Sequence, residues 1–201
     1  MRSKILTFIT VLGFFAISAQ ANDVDLKKSK LTWVGAKVIG STHTGHIDIK
    51  DAKLNYKKGE PVSGKITIDM NSITNTDLTD KGYNAKLVGH LKSDDFFGVA
   101  KHKTAEINID KIEKASNKFY LLKGKLTIKG KSQPVSLKAE VKQETKAFQV
   151  VETDLSFDRT KFGIRYGSGT FFSNLGDKMI SDDVKVNVKL HINKKKALAA
   201  K

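Results

Sequence analysis

A chain of 201 residues with no cysteine and a formal charge of +15 is long enough for one domain with a sizeable core, and must hold that core without disulfides. Thiol chemistry is excluded, and beyond the first residues no stretch is long and apolar enough to span a membrane as a helix. The positive charge is nearly all lysine, with only Arg2, Arg159 and Arg165 as arginine, which argues against nucleic acid and for a solvated surface with at most a weak attraction to anionic lipid headgroups.

The chain opens on a cationic Met1-Arg2-Ser3-Lys4, an uncharged run from Ile5 to Ile17, and Ala19-Gln20-Ala21. That order predicts a cleaved signal peptide over residues 1–21 and export to the periplasm. Asn22 follows it, so no cysteine stands at the cleavage site to carry a lipid anchor. Residues 22–201 are then expected to form a single domain.

Within that domain apolar residues recur with a period of two. Ile66, Ile68 and Met70 take every second place in an early run. Ile107 and Ile109, Leu126 and Ile128, Val135 and Leu137, and Leu155 and Phe157 repeat the pattern. In the last run Val184, Val186, Val188, Leu190 and Ile192 face one way, and Lys185, Asn187, Lys189 and His191 the other. These are strands with one wet and one dry face. Turn signals fall between them at Lys58-Gly59-Glu60-Pro61, Ser116-Asn117, Lys129-Gly130-Lys131-Ser132, Gly163 and Gly167 to Gly169. About eight to ten strands result. Too few helical segments accompany them to cover an open sheet, so the chain is all-β, closing into an antiparallel barrel or folding as a sandwich, which would satisfy the same alternation.

One segment departs from this pattern. From Asp80 to Leu91, Tyr83, Leu87 and Leu91 recur at four-residue spacing with Val88 beside them, predicting a short helix with one apolar face. The following Ser93-Asp94-Asp95-Phe96-Phe97-Gly98 reads as a plug or lid at a barrel end, or as aromatics that only fill core. Lys194 to Lys201 reads as a disordered tail or frayed helix.

Groups able to carry chemistry are sparse. No serine stands in a nucleophile-elbow context and no glycine-rich phosphate cradle occurs. His43, His46, His90, His102 and His191 are scattered; His43-Thr44-Gly45-His46, the one close pair, reads as a solvated turn lacking the further ligands of a zinc site. Asp94-Asp95 and Asp182-Asp183 adjoin turns, where carboxylates usually cap backbone amides. No catalytic residue, metal site or cofactor is therefore expected. The segment Asp158 to Gly167 stands out, because it gathers Arg159 and Arg165 beside Phe162 and Tyr166. A fixed ion pair closing the barrel would place arginine there, and so would a cationic grip on a ligand headgroup at its mouth.

Several stretches carry a family resemblance: Leu31-Thr32-Trp33, Ile68-Asp69-Met70-Asn71-Ser72-Ile73, Gly89 to Phe97, Gly124 to Gly130, and Asp158-Arg159-Thr160-Lys161-Phe162. With these in order the chain resembles the YceI family of periplasmic, lipocalin-like proteins that bind polyisoprenoids and related lipids. Arg165 to Gly169 and Asn174 to Lys178 bring it nearest to one branch. The resemblance implies an extended antiparallel barrel of about eight strands with a short helical insertion, an apolar tunnel, frequent homodimerisation and no established enzymatic activity. The chain departs from the family pattern at Gly35-Ala36-Lys37-Val38, where a histidine is more usual.

The expected function is a periplasmic carrier, not an enzyme, that sequesters a polyisoprenoid, quinone or other long-chain lipid. Trp33, Ile66, Ile68, Met70, Leu126, Ile128, Leu137, Phe157, Phe162 and Ile164 are expected to form the tunnel wall, with Leu91, Phe96 and Phe97 near one end. Arg159, Arg165 or Tyr166 would meet a headgroup at the mouth, where desolvation is less severe. The alternative is a structural or stress-protective periplasmic barrel whose interior is filled by residues such as Trp33, Phe119, Phe148, Phe157, Phe171 and Phe172.

Overall fold

The computed structural model describes residues 23–194; the expected signal peptide and the tail after Lys194 lie outside the described residues. Strands β1 (Lys30–Ala36), β2 (Thr42–Lys57), β3 (Glu60–Asp69), β4 (Thr104–Lys114), β5 (Phe119–Ile128), β6 (Lys131–Glu144), β7 (Phe148–Asp158) and β8 (Asp183–Asn193) follow one another up and down. Each pairs antiparallel with the next, and β8 returns to β1. Val186 of β8 lies opposite Trp33 of β1 on one side and Leu155 of β7 on the other. The sheet is therefore a closed barrel, not a sandwich, and closure leaves no edge strand to template aggregation.

The hairpins are tighter than the four-residue turn signals imply. Lys58-Gly59 and Lys129-Gly130 each connect two strands with both residues at positive φ (52° and 82°, 49° and 71°), as a type I′ turn requires. Glu60, Pro61, Lys131 and Ser132 already belong to strands. Register shifts between Ile49 and Asp51 in β2 and between Ile109 and Lys111 in β4 mark bulges, which bend and twist a strand as closure demands.

Alternation places the core as expected. Ile68, Met70, Leu126, Ile128 and Ile164 are buried, while Ile66, Leu137 and Phe157 are half-buried and packed against the same core. The opposite face is charged, with pairs such as Lys65 to Glu106 at 2.8 Å and Lys189 to Glu152 at 3.1 Å. Pairs this exposed add little stability.

The two ends of the barrel differ. At the turn end lie the hairpins after β2, β4 and β6 and both ends of the described chain, where Val24 bridges Ile192. The loop end carries the β1–β2 and β5–β6 turns and two long connections, β3–β4 and β7–β8. Helix α1 (Lys81–Lys92) belongs to the first of these; Asp80 caps it by accepting from the Tyr83 amide at 2.8 Å. None of its residues is buried: Leu91 packs against the core, but Tyr83 at the other end of the expected apolar face is 66% exposed.

Candidate ligand-binding site

The barrel interior holds two narrow apolar chambers, one above the other. The upper, towards the loop end, is a cavity of about 60 Å³. Its wall includes Trp33, Ile68, Met70, Phe97, Leu126, Ile128 and Phe157 among the expected residues, and Leu31, Ile47, Ile73, Ala105, Leu155, Val184 and Val186 besides. The lower is a cavity of about 90 Å³. Ile66 and Leu137 line it, with Leu54, Ile109, Ile112, Tyr120, Leu122, Val151, Val188, Leu190 and Ile192. Ile107 contributes to both walls. Ile66, Leu137 and Phe157 fall short of full burial because they face this space. Lys65 also borders the lower chamber, but its ammonium turns out to Glu106.

Trp33 is positioned by its indole N–H, which donates to the Thr74 carbonyl at 3.0 Å. With Met70, Ile73 and Phe97 it closes the upper chamber at the loop end. Phe97 is set there by a compact turn in which the Phe97 amide donates to the Leu91 carbonyl and Gly98 takes a positive φ of 57°. The Lys129 ammonium fastens the same turn by donating to the carbonyls of Asp94 and Phe96. At the other end the Tyr56 phenol is pushed well above its usual pKa by burial, reinforced by Asp23 and Tyr120.

The remaining expected site residues stand outside both linings. Phe162 and Ile164 are fully buried behind the upper chamber, with the Phe162 ring meeting Phe157 edge-on at 5.5 Å. Leu91 packs on the core, and Phe96 sits against His90 and Tyr166, with ring centroids 4.9 and 5.6 Å away. Arg165 is exposed, its guanidinium 4.4 Å from the Phe171 ring centre.

Arg159 takes the structural of its two roles. Its side chain is 2% exposed. Nε donates to the Ser181 carbonyl at 2.9 Å, Nη1 to the carbonyls of Ile164 and Tyr166 at 3.0 and 2.8 Å, and Nη2 to that of Ile180 at 3.1 Å. Nη2 also lies 3.2 Å from Asp182. Four of the guanidinium's five N–H groups are thus hydrogen-bonded to carbonyls, and the ion pair with Asp182 holds the buried group away from a headgroup at the mouth. Burial pulls its pKa down, Asp182 and Asp158 push it back, and it remains a cation.

Two other expectations change. His43 and His46 lie in strand β2 and not in a turn; three residues apart in a strand, they point to opposite faces. His43 pairs with Asp77 at 2.8 Å, and His46 lies near Thr32. Asp94 and Asp182 bind side chains, Lys101 and Ser168, whereas the backbone amides are capped by Asp69, Asp80 and Asp158. Among the described residues no group of three or more His, Asp or Glu gathers as a metal site would require, and no helix is long and apolar enough to cross a membrane. Four of the aromatics that could have filled the barrel lie elsewhere: Phe119 under Lys138, Phe148 stacked on His191, and Phe171 and Phe172 exposed at the loop end.

A small up-and-down barrel enclosing apolar chambers is, by class, a lipocalin-like fold. The YceI-like domain model matches residues 23–192, and the chain belongs to that family. Its structure is similar to the crystal structure of BcnA from Burkholderia cenocepacia, with 28% identity, a TM-score of 0.66, and coverage of 84% of this chain and 99% of that one. It is also similar in fold to a polyisoprenoid-binding domain from Saccharophagus degradans implicated in plant cell wall breakdown (17% identity, TM-score 0.63, 85% and 96% coverage). A YceI protein from Campylobacter jejuni matches at 24% identity and a TM-score of 0.57, over 73% of this chain and 83% of that one. No curated protein matches the chain.

Proposed function

We propose that this chain is a periplasmic carrier that sequesters a polyisoprenoid or similar long-chain lipid, and that it is a binding protein without catalytic activity. The observation that carries the reading is the pair of apolar chambers stacked along one barrel axis and meeting at Ile107. Protein interiors are close-packed, with few voids larger than a water molecule, so unfilled apolar space on this scale favours a ligand over a solid core. A narrow, elongated space suits a thin chain better than a fused ring system. At roughly 0.8 kcal/mol per buried methylene, such a chain is held firmly without any specific polar contact. The description of the S. degradans domain as polyisoprenoid-binding supports the ligand class, and the leader expected over residues 1–21 supports the compartment.

Native mass spectrometry of protein purified from the periplasm without detergent tests this. The expected result is a co-purified lipid of isoprenoid repeat mass, released by organic extraction. A bare protein mass, together with failure to take up a fluorescent polyprenyl probe, would overturn the reading.

A further inference from the structure

The large apolar side chains that remain exposed are not scattered over the molecule. Val38 (58%), Ile39 (71%), Tyr83 (66%), Tyr166 (46%), Phe171 (43%) and Phe172 (50%) all stand on connections at the loop end. Among the described residues Leu121 is the sole exception, on the barrel wall. Exposed apolar side chains gathered at one end of a molecule, with charges among them, mark an interaction surface.

The tips are held together by their backbones. The Val38 amide donates to the Met179 carbonyl at 2.9 Å and Lys37 bridges Ile180, tying the β1–β2 turn to the β7–β8 connection. The amides of Phe171 and Phe172 both donate to the Ser168 carbonyl. Their backbones are thus satisfied within the chain while the side chains face water.

The charge around them is unbalanced. Lys37, Lys81, Lys161, Arg165 and Lys178 are exposed and form no ion pair among the described residues. Most carboxylates at the same end are engaged: Asp80 caps α1, Asp94 holds Lys101, Asp158 receives Thr160 and Asp182 faces Arg159, which leaves Asp177 and Asp183, exposed and in no ion pair among the described residues, against those five cations. Free cations beside protruding apolar and tyrosyl tips match a bilayer interface, where apolar groups enter below the headgroups and cations meet anionic phosphates.

We propose that the loop end docks on the surface of a bilayer containing anionic phospholipid. Docking brings the upper chamber's closure of Trp33, Met70, Ile73 and Phe97 against the lipid. The inference goes beyond the carrier reading and does not need it, because vesicle binding is measured without cargo. A protein that docks but carries no lipid would refute the carrier and leave docking intact.

Flotation with phosphatidylglycerol–phosphatidylcholine vesicles, against phosphatidylcholine alone, tests the proposal. Binding is expected only to the anionic vesicles, weakened by salt and reduced roughly tenfold in Ile39→Glu/Phe172→Glu but not in Leu121→Glu. The chain has no cysteine, so Ile39→Cys and Leu121→Cys can each carry one environment-sensitive fluorophore; the first should shift to the blue on vesicles and the second should not. Equal loss in Leu121→Glu, unchanged binding in the double variant, or no shift at position 39 would overturn docking. So would wild-type protein that ignores vesicles but dissociates from dimer to monomer in the double variant, since a second copy would then be the occupant.

Discussion

A guanidinium withdrawn from water is tolerated only when every donor finds a partner. Arg159 comes close to that condition, with four N–H groups hydrogen-bonded to carbonyls and the charge balanced by the ion pair with Asp182, and so fixes the β7–β8 connection. Lysine, a point charge with three donors, cannot reproduce the planar fork. Arg159→Met leaves the carbonyls and Asp182 without their donor, and is expected to cost about 3–5 kcal/mol. Arg159→Lys should lose less but still a measurable amount. Urea unfolding with an unchanged m-value would record both, and a loss within about 0.5 kcal/mol for Met would assign the connection's stability elsewhere. The position was legible in the sequence, because arginine is rare in this lysine-dominated chain. An ion pair was one of the two roles the sequence offered for it; the carbonyl partners were not legible, since the residue types that supply backbone carbonyls carry no signal.

Strand β3 ends at Asp69 while β2 runs on towards the loop end, and residues 73–76 take β3's place beside it. Thr74 donates to the His46 carbonyl and Thr76 to that of Thr44. Asp77 completes the clasp by accepting from the Thr44 amide at 2.7 Å. Burial pushes its carboxyl up, but bonds from Thr44, His43 and Asn75 prevail and hold it below the usual range. The Trp33 ring crosses Gly45 here, so closely that a Cβ on Gly45 would stand 1.8 Å from the Thr74 oxygen and 2.7 Å from the indole. Gly45→Ala should destabilise by about 1–3 kcal/mol through overpacking. Gly89→Ala, in α1 with open space around it, should instead stabilise by about 0.5–1 kcal/mol. Thermal unfolding of the pair checks the contrast, and equal melting temperatures would refute it. The bulges explain what alternation concealed at this scale. In β2 the inward residues are Ile47 and Ile49 before the bulge and Ala52 and Leu54 after it; in β4 Ile109 gives way to Ile112. One extra residue reverses the parity, and a regular period-two reading loses the strand's second half.

The all-β, one-sided sheet was legible because its dry face recurs in strand after strand, and the two long connections show as breaks in that recurrence; closure over a sandwich was not, since both satisfy the same alternation, and only the family resemblance pointed to the barrel. The chambers were not, because alternation says which side chains face in and is silent on how far apart opposing walls stand. Ile107, on both linings, is where the chambers meet. Ile107→Trp is expected to fill space at the boundary of the two chambers and weaken binding of a long polyprenyl probe more than that of a short one, while overpacking costs about 1–3 kcal/mol. Displacement titrations with probes of two lengths would measure this, and equal affinities in wild type and variant would place the ligand outside the axis.

Closure also has a consequence for the order of the chain. At the turn end Asn193 donates its amide to the Asp23 carbonyl and Val24 bridges Ile192, so the first and last described residues are neighbours. With every strand paired on both sides, the barrel is a ring whose starting point is a matter of convention. A short splice between these neighbours, with the chain reopened at Lys58-Gly59, permutes the sequence while retaining every strand pairing. A tether fixed at the turn end presents the opposite rim outward.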